Sequence, residues 1–211
     1  MQKLSLVSGC GDYASGTACV VSAAVAKWRI QNGQPLGVAT DRLHCMCPII
    51  RCWMITANDL PWWESSKIRT DTLLPFSEKL ADTKGSDGLT RKRMWLVMDA
   101  IWRQFTPIVL RYYEKDSMAQ KLEDLPEVTT DSLRQLKAIL IDANMRHLID
   151  FNPDVMLIHT MPNNLADAQY RLFRLVHHRS FELGLMRTDV REKWINVARQ
   201  MIEMTSDDAL P

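Results

Sequence analysis

An apolar stripe between residues 94 and 112 limits the possible folds of this chain more than any other feature. Large apolar side chains follow each other there at steps of three and four residues, which is the spacing of one face of an α-helix. They are Met94, Met98, Ile101, Phe105, Ile108 and Tyr112. Trp95, Trp102 and Val109 flank the stripe and widen it. Because so wide an apolar face has to be covered, a helix over about residues 90–113 is predicted at the centre of a helical bundle.

The rest of the chain is also predicted to be helical. Glycine and proline are scarce, at 8 and 9 of 211 residues, which favours long helices over a turn-rich β fold. Apolar periodicity and capping residues predict helices at 17–30, at 48–57, from 66 to before Thr83 with a break at Pro75, at 117–125, 131–151, 153–160 and 164–183, and from Asp189 onward. We predict an all-α fold, a single helical bundle of about seven to nine helices over residues 1–205, with a polar tail over residues 206–211.

Charge and cysteine usage narrow the classes of function. The formal net charge is +1. This near-neutral charge gives no indication of nucleic-acid binding, although a nucleic acid stays a possible partner. The five cysteines are an odd number and all lie before residue 53, which is not the pattern of a disulfide framework and favours a reducing compartment. The apolar runs at residues 4–7 and 18–26 are too short for a signal core or a membrane span. We therefore expect a cytoplasmic protein without a membrane anchor, and the oligomeric state stays open.

The stretch HCMCPIIRCW contains the densest group of possible metal ligands. It places His44, Cys45, Cys47 and Cys52 within ten residues. Zinc sites usually pair cysteines as C-x2-C, whereas here Cys45 and Cys47 are two apart and Cys52 lies in the predicted helix, about 140° around from Cys47. A metal-stabilised binding module is therefore an alternative, and free, partly buried thiols are the favoured interpretation. We expect no cofactor.

A second alternative comes from Arg171, His177 and His178. An arginine shortly before a histidine in an all-α protein resembles the metal-independent RNase site of HEPN domains. The resemblance implies that the histidine acts as acid and base while the arginine holds the scissile phosphate. Leu172 departs from it, because HEPN motifs tend to place a polar residue after the arginine. The other interpretation is a solvated helix face shared with Arg174.

Two surface features are typical of protein-binding sites. Trp62 and Trp63 are adjacent in a connection and cannot both point into one core, so we expect at least one ring to lie at the surface. Arg91, Lys92 and Arg93 lie near the start of the long predicted helix, where cations oppose the helix dipole and are available to an acidic partner surface. These five residues are the predicted partner-binding set.

Several short motifs in the first half of the chain, taken in order, resemble those of uncharacterised proteins from bacteria and their phages or mobile elements. They are Thr17-Ala18-Cys19, Asp41, Cys45-x-Cys47-Pro48, Asn58-Asp59, Arg69-Thr70, Leu74-Pro75 and Thr83. The resemblance implies that the protein comes from a bacterium, a phage or a mobile element, and it implies no activity. With the surplus of tryptophan (7) and methionine (12), it favours a non-enzymatic interaction module, such as an inhibitor or accessory protein that binds a host or phage protein complex.

Overall fold

A computed structural model describes residues 4–60, 62–112, 114–128, 132, 135–136, 138–139 and 188–205. These residues are mostly helical, with one short pair of strands. The elements are β1 Ser5–Leu6, β2 Thr17–Ala18, α1 Val20–Gln31, α2 Pro48–Asp59, α3 Ser66–Leu73, a 3-10 turn Leu74–Phe76, α4 Ser77–Leu80, α5 Asp87–Asp99, a π-helix Ala100–Phe105, α6 Thr106–Tyr112, α7 Asp116–Glu123 and α8 Thr188–Glu203. The chain divides into two compact units, the first made of Met1–Thr90 and Gly184–Ser206 and the second of Arg91–Leu183 and Asp207–Pro211.

The first unit begins with a small parallel sheet that the sequence did not predict. Ser5 pairs with Thr17 and Leu6 pairs with Ala18. The loop between the strands passes so close to β2 that a Cβ atom at Gly11 would lie 2.6 Å from the Ala18 Cα, and its φ of +75° is the left-handed conformation that glycine adopts freely. The all-α prediction is thus correct for most of the described residues and wrong for these strands.

The helices of the first unit start and stop close to their predicted ends. Pro48 occupies the first turn of α2 as expected, because its missing N–H costs nothing there. The helical stretch that was predicted to break at Pro75 is interrupted there by the 3-10 turn between α3 and α4. Helix α1 starts three residues after its predicted start, and Cys19 is its N-cap, because the Cys19 sulfur accepts the Ser22 N–H at 3.2 Å. Helix α8 buries an apolar face made of Val190, Trp194, Val197 and Met201.

In the second unit the long predicted helix is interrupted. Pro107 has no N–H to donate to the carbonyl of Arg103, four residues earlier. Ahead of it the backbone widens into the π-helix, where the Thr106 N–H and the Thr106 hydroxyl (2.8 Å) both donate to the Ile101 carbonyl. Four members of the apolar stripe are buried as predicted, Met94, Met98, Ile101 and Phe105. Ile108 is half-buried.

Helix α7 agrees with the prediction at 117–125 to within two residues at each end. Arg111 holds it through two hydrogen bonds of 2.6 Å to the Glu123 carboxylate. The predicted helices at 153–160 and 164–183 lie outside the described residues, as does most of 131–151. The single bundle and single domain therefore stay predictions. Within the ranges given above, no helix is long and apolar enough to cross a membrane.

Candidate functional site

Trp62 and Trp63 are buried rather than exposed. Their side chains are 6% and 9% accessible, and both indole N–H groups donate to the Ala57 carbonyl, at 3.1 and 2.9 Å. Ala57 lies in the last turn of α2, where carbonyls have no partner within the helix, so the two indoles satisfy an otherwise orphaned acceptor. The expectation of a ring at the surface is therefore wrong. Their role in partner binding stays a prediction.

The two rings belong to an aromatic cluster that joins α2 to α8. Trp53 and Trp194 stack with ring centroids 3.8 Å apart. Each also donates its indole N–H to the other's backbone carbonyl, at 3.0 and 3.3 Å. Arg191 lies over the Trp63 ring at 5.2 Å and donates to the Glu64 carboxylate at 2.8 Å. These contacts are interior packing between distant segments of the first unit.

The basic triplet is only partly available to a partner. Arg91 is exposed, whereas Lys92 and Arg93 are buried. Successive residues of an α-helix point about 100° apart, so three in a row cannot all face solvent when one side of α5 is covered. Of the three cations expected at the surface, only Arg91 is exposed.

The backbone of the cysteine stretch is hydrogen-bonded to residues 83 and 84. The Cys47 N–H donates to the Thr83 hydroxyl at 3.0 Å and the Cys45 carbonyl accepts the Lys84 N–H at 2.8 Å. The His44 ring meets the Trp28 ring edge-on, with centroids 5.4 Å apart. All five cysteines are free. The described residues contain no cluster of three or more His, Cys, Asp or Glu side chains that could hold a metal ion.

Two thiols of this stretch, those of Cys45 and Cys52, have raised pKa values. Burial raises the pKa of Cys52, and the neighbouring Arg51 offsets only part of that effect. Burial is also the main cause of the raised pKa of Cys45, whose thiol lies beside Asp82. Metal ligands and nucleophiles need the thiolate, whereas these environments favour the protonated thiol. The free-thiol interpretation fits Cys45 and Cys52, and the metal-stabilised module stays a prediction.

The glycine-rich segment before α1 is a closed turn around Asp12. The Asp12 carboxylate accepts the N–H groups of Ala14 and Ser15, at 3.1 and 3.2 Å. Its carbonyl accepts the Thr17 N–H at 2.9 Å. A phosphate-binding loop needs outward N–H groups and a cation. Here the Asp12 carboxylate already accepts two of the N–H groups, and its negative charge would repel a phosphate.

Among the described residues, the most exposed large apolar side chain is Val38, which lies on the loop that follows α1, residues 32–40, here called the apolar loop. Val38 is 84% exposed and Leu36 is 38% exposed, and Ile30 at the end of α1 is exposed beside them. Arg29 fixes the loop backbone, because its Nη1 donates to the carbonyls of Leu36 and Val38. The Gln34 N–H also returns to the Arg29 carbonyl at 2.8 Å. The loop thus presents two apolar side chains from a held backbone.

From the sequence, this segment was only the connection between the helices predicted at 17–30 and 48–57. A signal was nevertheless present, since Leu36 and Val38 are the only large aliphatic residues between Gln31 and Asp41. Their exposure depends on the Arg29 clamp, and no local sequence pattern reveals a side chain that turns back onto carbonyls seven and nine residues later.

The residues of the RNase alternative, Arg171, His177 and His178, lie outside the described residues. No family model, no curated protein and no solved structure matches the chain.

Proposed function

We propose that the protein is a non-enzymatic interaction module, acting in the cytoplasm, that binds a protein partner through the apolar loop. The exposure of Val38 is the observation that supports the proposal most directly. Fully burying a valine or leucine side chain gains about 1.5–3 kcal/mol, so covering Val38 and the exposed part of Leu36 with a partner surface favours binding. The resemblance of the first half of the chain favours a host or phage protein complex as the partner.

The clamp on the loop backbone strengthens this proposal. A loop that is ordered only on binding loses conformational entropy at that moment, and the loss weakens the affinity. Arg29 holds the carbonyls of Leu36 and Val38 before any partner arrives. The exposed Gln34 and Arg42 flank the apolar pair in the sequence, and polar residues around an apolar centre are typical of protein-binding surfaces.

Affinity capture with matched variants tests the proposal. Tagged protein is incubated with nuclease-treated bacterial lysate, and retained proteins are identified and quantified by mass spectrometry. The test variant is Leu36→Ser with Val38→Ser. The control is Ile68→Ser, which removes an apolar side chain that is 38% exposed, as Leu36 is, from a different surface on α3.

We expect a stoichiometric protein partner to be retained by the unmodified chain and by Ile68→Ser, and to be lost from the double variant. Circular dichroism should show equal helicity for all three proteins, because the changed side chains are exposed. Retention of the same partner by the double variant would contradict the proposal. Loss of the partner from both variants alike would contradict it too, since binding would then respond to any lost apolar surface.

A further inference from the structure

A surface groove of about 260 Å³ lies between the α3–α4 stretch and the end of α8. Both walls belong to the first unit. The groove is lined by Thr72, Pro75, Phe76, Lys79, Arg199, Ile202 and Glu203. Its volume is slightly below the usual range for small-molecule pockets, so it suits a compact ligand.

The charges of the groove favour an anion. Lys79 and Arg199 are exposed and, among the residues described, neither has an ion-pair or hydrogen-bond partner. Glu203 supplies the single carboxylate, so two cations face one anion. Arg199 and Glu203 are one helical turn apart, but the structure contains no ion pair between them. An arginine on the N-terminal side of its acid is also the weaker orientation for such a pair.

The remaining walls favour an apolar body. Phe76 and Ile202 are half-buried, so each presents part of its side chain to the groove. Covering such surfaces with a ligand is favourable because it removes apolar area from water. An ammonium or guanidinium beside them binds a carboxylate through charge-assisted hydrogen bonds.

We infer that this groove binds a small apolar carboxylate, with its apolar body against Phe76 and Ile202 and its carboxylate toward Lys79 and Arg199. This ligand site is separate from the apolar loop and does not depend on the proposed function. Glu203 opposes the bound anion and therefore limits its affinity. Each of the three charges consequently has an effect of known sign on binding.

Titration of the full chain with phenylacetate and with phenylacetamide, followed by amide chemical shifts in NMR, tests the inference. The two probes share the aromatic body and differ in the charged group. We expect phenylacetate to bind with a dissociation constant on the order of a few millimolar, as its few atoms allow. Its shifts should centre on the groove, and phenylacetamide should bind about tenfold more weakly.

Substitutions of the charged residues test how each charge contributes to phenylacetate binding. Lys79→Ala and Arg199→Ala should each weaken phenylacetate binding several-fold, and Glu203→Gln should strengthen it. Lys193→Ala, an exposed cation on the same helix outside the groove, should leave it unchanged. Equal binding of acid and amide, shifts centred elsewhere, or no binding of phenylacetate would each overturn the inference. A loss of affinity with Lys193→Ala as large as with Arg199→Ala would also overturn it, because the effect would then be general charge.

Discussion

Asn58 shows how much of the fold can depend on one buried amide. Its side chain is fully buried, and its Nδ2 donates to the Val7 carbonyl at 2.7 Å and to the Asp59 carboxylate at 2.8 Å. Its Oδ1 accepts the Val20 N–H, the first amide of α1, at 3.2 Å. One side chain therefore joins the end of α2 to the strand segment and to the start of α1. From the sequence, Asn58 was only part of a helix end.

We predict that Asn58→Ala lowers the free energy of unfolding by about 2–4 kcal/mol, because it leaves the Val7 carbonyl and the Val20 N–H buried without this partner. Urea unfolding followed by circular dichroism measures the change. Asn32→Ala is the matched control, since its exposed amide makes a single bond to the Trp28 carbonyl. That variant should stay within about 0.5 kcal/mol of the unmodified protein. Equal effects of the two substitutions would show that the Asn58 network contributes nothing special.

The partly buried thiol of Cys52 predicts how stability changes with pH. Burial raises the pKa of Cys52 above its unfolded value of about 8.5. Above that pH the unfolded chain loses the thiol proton while the folded chain keeps it, so the free energy of unfolding falls as pH rises through the folded pKa. Below it the contribution is fully present. Urea unfolding between about pH 7 and pH 10 should show a smaller decline for Cys52→Ala than for the unmodified chain.

Cys10→Ala is the control for this pH dependence, because Cys10 is exposed. Its decline should match that of the unmodified chain, whose lysines and tyrosines also titrate in the alkaline range. If Cys52→Ala declines as steeply as Cys10→Ala, the Cys52 thiol is not the source of the effect.

At the scale of the elements, periodicity predicted where helices lie but not how their backbones wind. The stripe from Met94 to Phe105 is buried as the spacing of three and four requires. Pro107 lies within that predicted helix. The π-helix ahead of it is a change of hydrogen-bond register, which depends on the Thr106 hydroxyl and N–H sharing the Ile101 carbonyl. Such sharing is not encoded in hydrophobic spacing, so the sequence could not predict it.

The Arg29 clamp leads to a prediction about the element that carries the proposed binding surface. Arg29→Ala removes the donor to the Leu36 and Val38 carbonyls. Because the loop is exposed, the free energy of unfolding should change by no more than about 1 kcal/mol. Amide hydrogen exchange across the apolar loop should become faster. Lys27→Ala is the control, since Lys27 pairs with Glu78 instead. Unchanged exchange in Arg29→Ala would mean that the clamp does not order the loop.

At the scale of the whole molecule, the sequence predicted that the described residues are mostly helical and missed the packing of α8 against α2. The start of α8 was predicted to within one residue. Its partner could not be predicted, because Trp53 and Trp194 are 141 residues apart and a buried tryptophan does not specify what it stacks on. The same limit applies to Trp62, which was expected nearer the surface. Its indole packs at 5.6 Å against the distant Trp194 ring.

The packing of α8 against α2 makes Trp194 a test of how the first unit is built. Trp194→Ala removes the stack on Trp53, one of the two reciprocal hydrogen bonds and the contact with Trp62. We predict that it lowers the free energy of unfolding by about 3–5 kcal/mol, as for large aromatic side chains in a core. Trp194→Phe keeps an aromatic ring and should lose less. Lys193→Ala, on the exposed side of α8, should change stability by no more than about 0.5 kcal/mol. Urea unfolding followed by circular dichroism compares all three variants. A loss for Trp194→Ala no larger than that for Lys193→Ala would mean that α8 does not pack against α2 in solution, and that the first unit is not built from both ends of the chain.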